Sequence, residues 1–270
     1  MKKIDNLTLK IRNINKTDKW KYEYAFCTLV TSEQEYAEML ASLEKKDFTN
    51  ENSEFLYIDN INVNTYDAYS GLNKMLSLSN AKYVILCHQD IRFDFDNIDT
   101  LKNRILEISK LDPLWGVLGN AGGTKDFSKT HIRITDPHGE NQKTSNFPMR
   151  VESLDENFLL IKNGLNIGFS NDLDGFHMYG TDLCLHAQMS GNTCYVVDFH
   201  VRHLGTGKRD NSFFISKNNL IDKYRKIQQD KVIKTTCTTI YVSKFSILNR
   251  LLNIERITRL KKYLDRVFYA

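Results

Sequence analysis

Glycine and proline are segregated along this chain of 270 residues, and that segregation limits its fold more than any other feature. All three prolines and twelve of the thirteen glycines lie between 113 and 207. Residues 1–112 hold Gly71 alone, so long regular elements are expected there, and turns and site loops after it.

The glycine-poor part alternates in type. Tyr22–Thr31 is rich in aromatic and β-branched residues, as a buried strand is. Ser32, with Glu35 three residues on, predicts a helix with a capping box to about Lys45. Glu54–Asp59 reads as a second strand, and Thr65–Ser79 as a second helix with Tyr66, Tyr69, Leu72, Met75 and Leu76 at helical spacing. Lys82–His88 is a short apolar run, the pattern of a central strand covered on both faces. A helix over Asp96–Lys110, a strand over Trp115–Leu118 and a turn over Gly119–Gly123 follow. This rhythm predicts an α/β fold with a mostly parallel central sheet flanked by helices. Such sheets bind ligands beyond the carboxyl ends of their strands, here after Thr31, at Asp59, at His88–Asp90 and at Gly119. The polar, weakly periodic stretch 124–150 is expected to be a mobile loop, of the length that functional lids have.

Composition removes several classes. With 41% hydrophobic and 26% charged residues, the chain is not mostly disordered. No stretch approaches the roughly 20 apolar residues needed to span a bilayer, and Met1-Lys2-Lys3 is not followed by a signal-peptide core. Five cysteines without a Cys-x-x-Cys pair fit reduced thiols in a cytoplasmic protein better than a thiolate zinc site. Charge is unevenly placed: residues 243–270 hold seven basic and two acidic residues, net +5, against +4 for the whole chain. The remaining 242 residues therefore sum to −1. Within 244–268, Ile247, Leu248, Leu251, Leu252, Ile254, Ile257, Leu260, Tyr263, Leu264, Val267 and Phe268 recur at three- and four-residue intervals, with basic residues mostly between them. This helical tail either packs on the domain with a solvated basic face or lies on an anionic membrane surface. Nucleic-acid binding is disfavoured, because the body is near neutral and no aromatic–basic module is present.

Two phosphate signatures are missing. Gly119–Lys125 lacks the P-loop spacing, and no G-x-G-x-x-G follows the first strand. What remains is a set of segments in order. The apolar strand Tyr83–Cys87 ends in His88-Gln89-Asp90, where a carboxylate suits a hard cation on the phosphates of a nucleotide. Gly116-Val117-Leu118-Gly119, Val151–Leu159 and Phe176–Leu185 follow, the last with Asp182 in a first helical turn. A strand over Cys194–Asp198 leads to His200 and His203. Asp94-Phe95-Asp96 and Asp172-Leu173-Asp174 are literal Asp-x-Asp strings, read as a helix cap near Asp96 and as loop acids.

Taken in this order, residues 22–210 resemble family 2 nucleotide-diphospho-sugar glycosyltransferases of the GT-A fold, in the bacterial branch with a His-Gln-Asp motif. The expected division is a catalytic domain over 1–215 and a C-terminal extension over 216–270. The resemblance implies that Thr31, Asp59, His88, Gln89, Asp90 and Asp155 meet the donor. His88-Gln89-Asp90 takes the Asp-x-Asp position, so Asp90 would hold Mn²⁺ or Mg²⁺ against the diphosphate, with His203 completing the shell. Asp182 would be the general base, with Thr181 where the family has Glu. The implied reaction is an inverting, metal-assisted hexosyl transfer from a UDP-sugar to a saccharide or lipid-linked acceptor. Its setting would be bacterial surface-polysaccharide synthesis, in the cytoplasm or at the inner face of the cytoplasmic membrane. His88 and Thr181, standing where the family has acids, keep open a catalytically silent nucleotide- or sugar-binding module. A glycosidase using Asp155 and Asp182 has less support. So has a nucleotidyltransferase, whose glycine-rich basic loop is here Thr31-Ser32-Glu33.

Overall fold

The apolar runs of the first half form strands because each has two faces to bury. The computed structural model describes residues 20–126, 129–207, 209–226 and 230–254. Its first half contains β1 (Tyr22–Val30), α1 (Glu33–Glu44), β2 (Ser53–Asp59), α2 (Ala68–Leu78), β3 (Ala81–Cys87), β4 (Ile91–Arg92) and α3 (Ile98–Leu111). Next come β5 (Trp115–Gly119), β6 (Ala121–Gly123), β7 (Thr130–Asp136), β8 (Gly139–Lys143), β9 (Met149–Val151), β10 (Ser153–Leu154) and β11 (Phe158–Lys162). The last elements are α4 (Tyr179–Met189), β12 (Thr193–Val196), β13 (Val201–His203), α5 (Asn211–Tyr224), β14 (Lys231–Lys234), β15 (Thr239–Val242) and α6 (Ser246–Leu252).

The main sheet has the order β2-β1-β3-β11-β5-β12-β9. Five of its strands run one way, while β11 and β9 run against them. The sheet is therefore mostly parallel, as expected, but β11 is wedged antiparallel between β3 and β5. Alternation along the strands feeds two cores. Tyr24, Phe26, Ile85 and Leu160 pack with Met39 and Leu43 of α1 and Leu101, Ile105 and Ile108 of α3. Ala25, Cys27, Val84, Leu86 and Leu159 pack with Leu72 and Met75 of α2 and Leu183 and Ala187 of α4.

Caps set the helix starts. Ser32 accepts from Glu35 N at 3.3 Å, but no capping box closes, because the Glu35 carboxylate accepts from Gln89 Nε2 at 2.8 Å instead. The second helix starts at Ala68 rather than Thr65, since Asp67 caps it through Ser70 N at 2.8 Å. The third is capped by Asn97, not Asp96.

Two expectations are corrected here. Residues 124–150 do not form a long loop: β7 and β8 make an antiparallel hairpin, and β7 also pairs with β6 and β13. These strands belong to a second sheet, β10-β6-β7-β13-β4 with β8 at its side. The division at residue 215 falls inside α5, and Leu220, Ile221, Tyr224, Ile233, Ile240 and Val242 join the same core as α2 and α4. The described residues of α5 and β15 thus pack with the main sheet. The β14–β15 hairpin lies so close to β6 that a Cβ on Gly123 would overlap the Lys234 carbonyl. All five cysteines are free thiols, and among the described residues no helix is long and apolar enough to cross a membrane. Residues 255–270, most of the expected tail helix, lie outside the described residues.

Candidate active site

Strand β3 ends at Cys87 because the next three residues are polar and turn out of the sheet. His88 N donates to Asn157 O at 3.2 Å, and Ile91 N closes the turn onto His88 O at 3.3 Å. Strand β4 then pairs antiparallel with β13, His203 opposite Ile91, and Leu204 N donates to Asp90 O at 3.1 Å. Register alone thus brings a histidine from residue 203 beside the turn at residue 90.

The resulting cluster is compact. His203 Nε2 lies 3.3 Å from Asp90 Oδ2 and His88 Nδ1 3.9 Å from Asp90 Oδ1. One ligating atom from each of the three residues lies within 4.8 Å of the others, and this is the only such group found among the described residues. The His88 ring is held from behind: its Nε2 is 2.7 Å from the Tyr179 hydroxyl, which donates to Glu156 O at 3.2 Å. With the proton on Nε2, the Nδ1 lone pair faces Asp90, the arrangement that second-shell partners impose on metal-binding imidazoles. A Cβ on Gly205 would sit 2.7 Å from Asp90 Oδ2 and 3.1 Å from His203 Nε2, so glycine lets the backbone close over the cluster.

The charges suit a cation. Burial pushes the Asp90 carboxyl up, but the His203 hydrogen bond and the charges of His203 and His88 outweigh it, and the net direction is down. Burial pushes His203 down, but Asp90 outweighs it, so the net direction is up. His88 is lowered, by burial first and by His203 next. One carboxylate with two imidazoles fits Mn²⁺ better than the all-oxygen shell that Mg²⁺ prefers. Removing the support for His88 is expected to matter: Tyr179→Phe should weaken Mn²⁺ binding about tenfold or more, read by calorimetry. An unchanged affinity would remove Tyr179 from the site.

The cluster lines a cavity of about 910 Å³ whose walls include Asp155, Glu156, Asn157, Phe176, His177, Arg209, Phe213 and Thr236. Asp155 is fixed from two sides, by Asn157 N and Nδ2 on Oδ1 (3.2 and 2.8 Å) and by Thr236 Oγ1 on Oδ2 (2.7 Å). Glu156 stands at the start of α4, whose N-cap Met178 offers no side-chain cap, and takes Gly180 N at 3.4 Å. Burial first and the neighbouring Asp155 second push its carboxyl up to about 8, against the pull of the Gly180, Met178 and Tyr179 backbone N–H groups. Arg209 is the only Lys or Arg among the described residues of the wall, its guanidinium 5.3 Å from the Phe213 ring centre.

Thr31, Asp59 and Gln89 lie apart from this cavity, at the carboxyl edge of β1 and β2, where Asp59 stands exposed opposite Val30. The Gln89 amide is fully engaged: Oε1 accepts from Thr31 N (2.8 Å) and Ser32 N (3.0 Å), and Nε2 donates to Thr31 Oγ1 and Glu35. It holds the β1–α1 turn and leaves no side-chain atom for a ligand.

Asp182 is the main correction. It is fully buried and absent from the cavity wall. Oδ2 accepts from Ser170 N (2.8 Å), and Oδ1 accepts from Ser170 Oγ (2.6 Å) and Tyr224 OH (2.7 Å). A carboxylate so enclosed ties α4 to α5 and the 170 loop and cannot reach an acceptor hydroxyl. Nor can it pair with Asp155 in a glycosidase. Asp182→Asn turns an acceptor into a donor among donors and should cost about 2 kcal/mol of stability or more. Thermal melting reads this as a lowered Tm. Three of the four acids in the literal pairs are structural as well. Asp94 pairs with Arg202 at 2.7 Å, Asp96 accepts from His200 N at 2.6 Å, and Asp172 pairs with Lys223. His200 is stacked on Phe95 and bonded to Thr135 at 2.9 Å.

A mostly parallel α/β sheet with a second, smaller sheet and a carboxylate–imidazole cluster at a central strand end defines a protein of the GT-A class. A solved structure agrees on the fold: GalNAc-T7 with UDP, GalNAc and Mn²⁺ is similar at a TM-score of 0.50 and 12% identity over 78% of this chain. S. aureus TarS, 14% identical over 76% of the chain, has a TM-score of 0.49. This chain spans 50% of the GalNAc-T7 chain and 39% of TarS. In sequence, a model described as "Glycosyltransferase like family" matches residues 25–231, and the chain belongs to that family. A relative from Fuscovulum blasticum, named for an ATP synthase subunits region as its open reading frame 6, is 35% identical over 208 residues. The match covers 75% of this chain and 84% of that one.

Proposed function

We propose that this transferase moves a hexosyl group, with inversion, from a nucleotide diphosphate sugar, UDP-linked, to a hydroxyl of a saccharide or lipid-linked acceptor. Surface-polysaccharide assembly on the inner side of a cytoplasmic membrane is the setting we assign to it. The observation that carries the reading is the meeting, in one cavity, of the His88–Asp90–His203 cluster with the raised carboxyl of Glu156.

Asp90, His88 and His203 would hold Mn²⁺ or Mg²⁺, which when bound neutralises charge growing on the departing diphosphate. Arg209, which lines the same cavity, would support the same charge. Glu156, in place of Asp182, takes the proton from the acceptor hydroxyl as that oxygen attacks the anomeric carbon and the bond to the diphosphate breaks. Asp155, braced by Thr236, orients donor hydroxyls. Thr31 and Asp59 meet the nucleoside at the edge of the sheet.

A catalytically silent sugar- or nucleotide-binding module is the second reading, favoured by one observation: the acid expected as base is enclosed in the core. Donor hydrolysis separates the two. Across a panel of nucleotide sugars, the transferase should release nucleotide diphosphate from at least one donor in a Mn²⁺-dependent reaction. Binding without release from any donor would leave the silent module.

A further inference from the structure

Helix α6 is turned with its polar side inward. Asn249 is buried, its Oδ1 accepting from Ser243 N and its Nδ2 donating to Ser243 O, both at 2.6 Å. Asn253 repeats the pattern on Tyr241, at 2.9 and 2.7 Å. These amides pin the helix to β15 and the turn after it. The apolar side chains face out: Ile247 is 71% exposed, Phe245 55% and Leu251 48%, and Leu248 and Ile254 are exposed too. A helix that merely packed on the domain would bury these and solvate its asparagines.

Exposed Lys244 and Arg250 stand among the apolar residues, and the sequence beyond adds Arg256, Arg259, Lys261, Lys262 and Arg266 against Glu255 and Asp265. We infer that this face docks on an anionic lipid bilayer: the apolar side chains enter the headgroup boundary while the basic ones meet lipid phosphates. Apolar residues interspersed with basic ones are the composition such an interface selects.

The β14–β15 hairpin ties this face to the active site. Its turn reaches the cavity, where Thr236 bonds Asp155, and its other end leads into α6. Strands of four residues span about 13 Å, so docking sets the cavity close to the bilayer. That a lipid-linked acceptor exploits this nearness rests on the proposed function; the docking itself does not.

The test is co-sedimentation of the full chain with vesicles of phosphatidylcholine alone or with about 30% phosphatidylglycerol. Binding is expected to the anionic vesicles and to fade with salt. Ile247→Ser with Leu251→Ser should weaken it about tenfold or more, and Lys244→Glu with Arg250→Glu about tenfold. Donor hydrolysis without vesicles should stay unchanged in both variants. No binding, or equal binding to neutral vesicles, overturns the inference. So does a concentration-dependent dimer, seen by light scattering, that the serine variant abolishes, since the face then belongs to a second copy. If vesicle binding holds while no donor is hydrolysed, the transferase reading fails and this one stands.

Discussion

Asp90→Asn is expected to lower donor turnover about a thousandfold or more while leaving the fold intact. Asp90 supplies the only carboxylate of the cluster, and His203 and His88 both address it, at 3.3 and 3.9 Å. Asparagine keeps the shape and can still accept from His203, so Tm should barely move. What it removes is the negative charge that a bound cation would share with two imidazoles. Steady-state hydrolysis at saturating Mn²⁺ measures the loss. A variant with more than a tenth of the wild-type rate would place the charge-stabilising group elsewhere in the cavity.

Glu156→Gln carries the second large effect. The amide oxygen can still accept from Gly180 N, so the cap on α4 survives while the proton acceptor is lost. Transfer should fall by about a hundredfold to ten-thousandfold, with UDP binding retained. In the wild type the carboxyl is pushed up to about 8 by burial first and Asp155 second, so the rate of transfer should climb with pH through that value. Stability should run the other way. Between the ordinary 4.5 and about 8, the folded protein holds this proton and the unfolded chain does not, so ionisation costs stability as pH rises. A pH–rate profile unchanged by Glu156→Gln would end the assignment.

The sheet and the cluster were legible in the sequence for the same reason. Strand β3 is apolar and buried from Tyr83 to Cys87, so its polar ending at His88-Gln89-Asp90 stands out as the place where the chain leaves the core. His203 followed from the family resemblance, although only the β4–β13 register brings it to Asp90. The proposed base was not legible. Glu156 and Asp182 both lie near the first turn of α4, and the sequence does not say which acid faces the cavity. Ser170 and Tyr224, far apart in sequence, turn Asp182 into a core residue. Residues 130–136 did carry a signal, with Ile132 and Ile134 alternating around Arg133, but polar flanks on both sides masked it. The helical period over Ser246–Leu252 was legible. Its orientation was not, because only the pairing of Asn249 and Asn253 with backbone reveals that the apolar face points outward.

The central claim is that Asp90 organises a metal-dependent site for a nucleotide diphosphate sugar, and titration of UDP with and without Mn²⁺ tests it most directly. The wild type should bind UDP at least about tenfold more tightly with Mn²⁺ than with a chelator, and Asp90→Asn should abolish that difference. UDP binding that is equally strong in both conditions, or a metal dependence that survives in Asp90→Asn, would contradict the account.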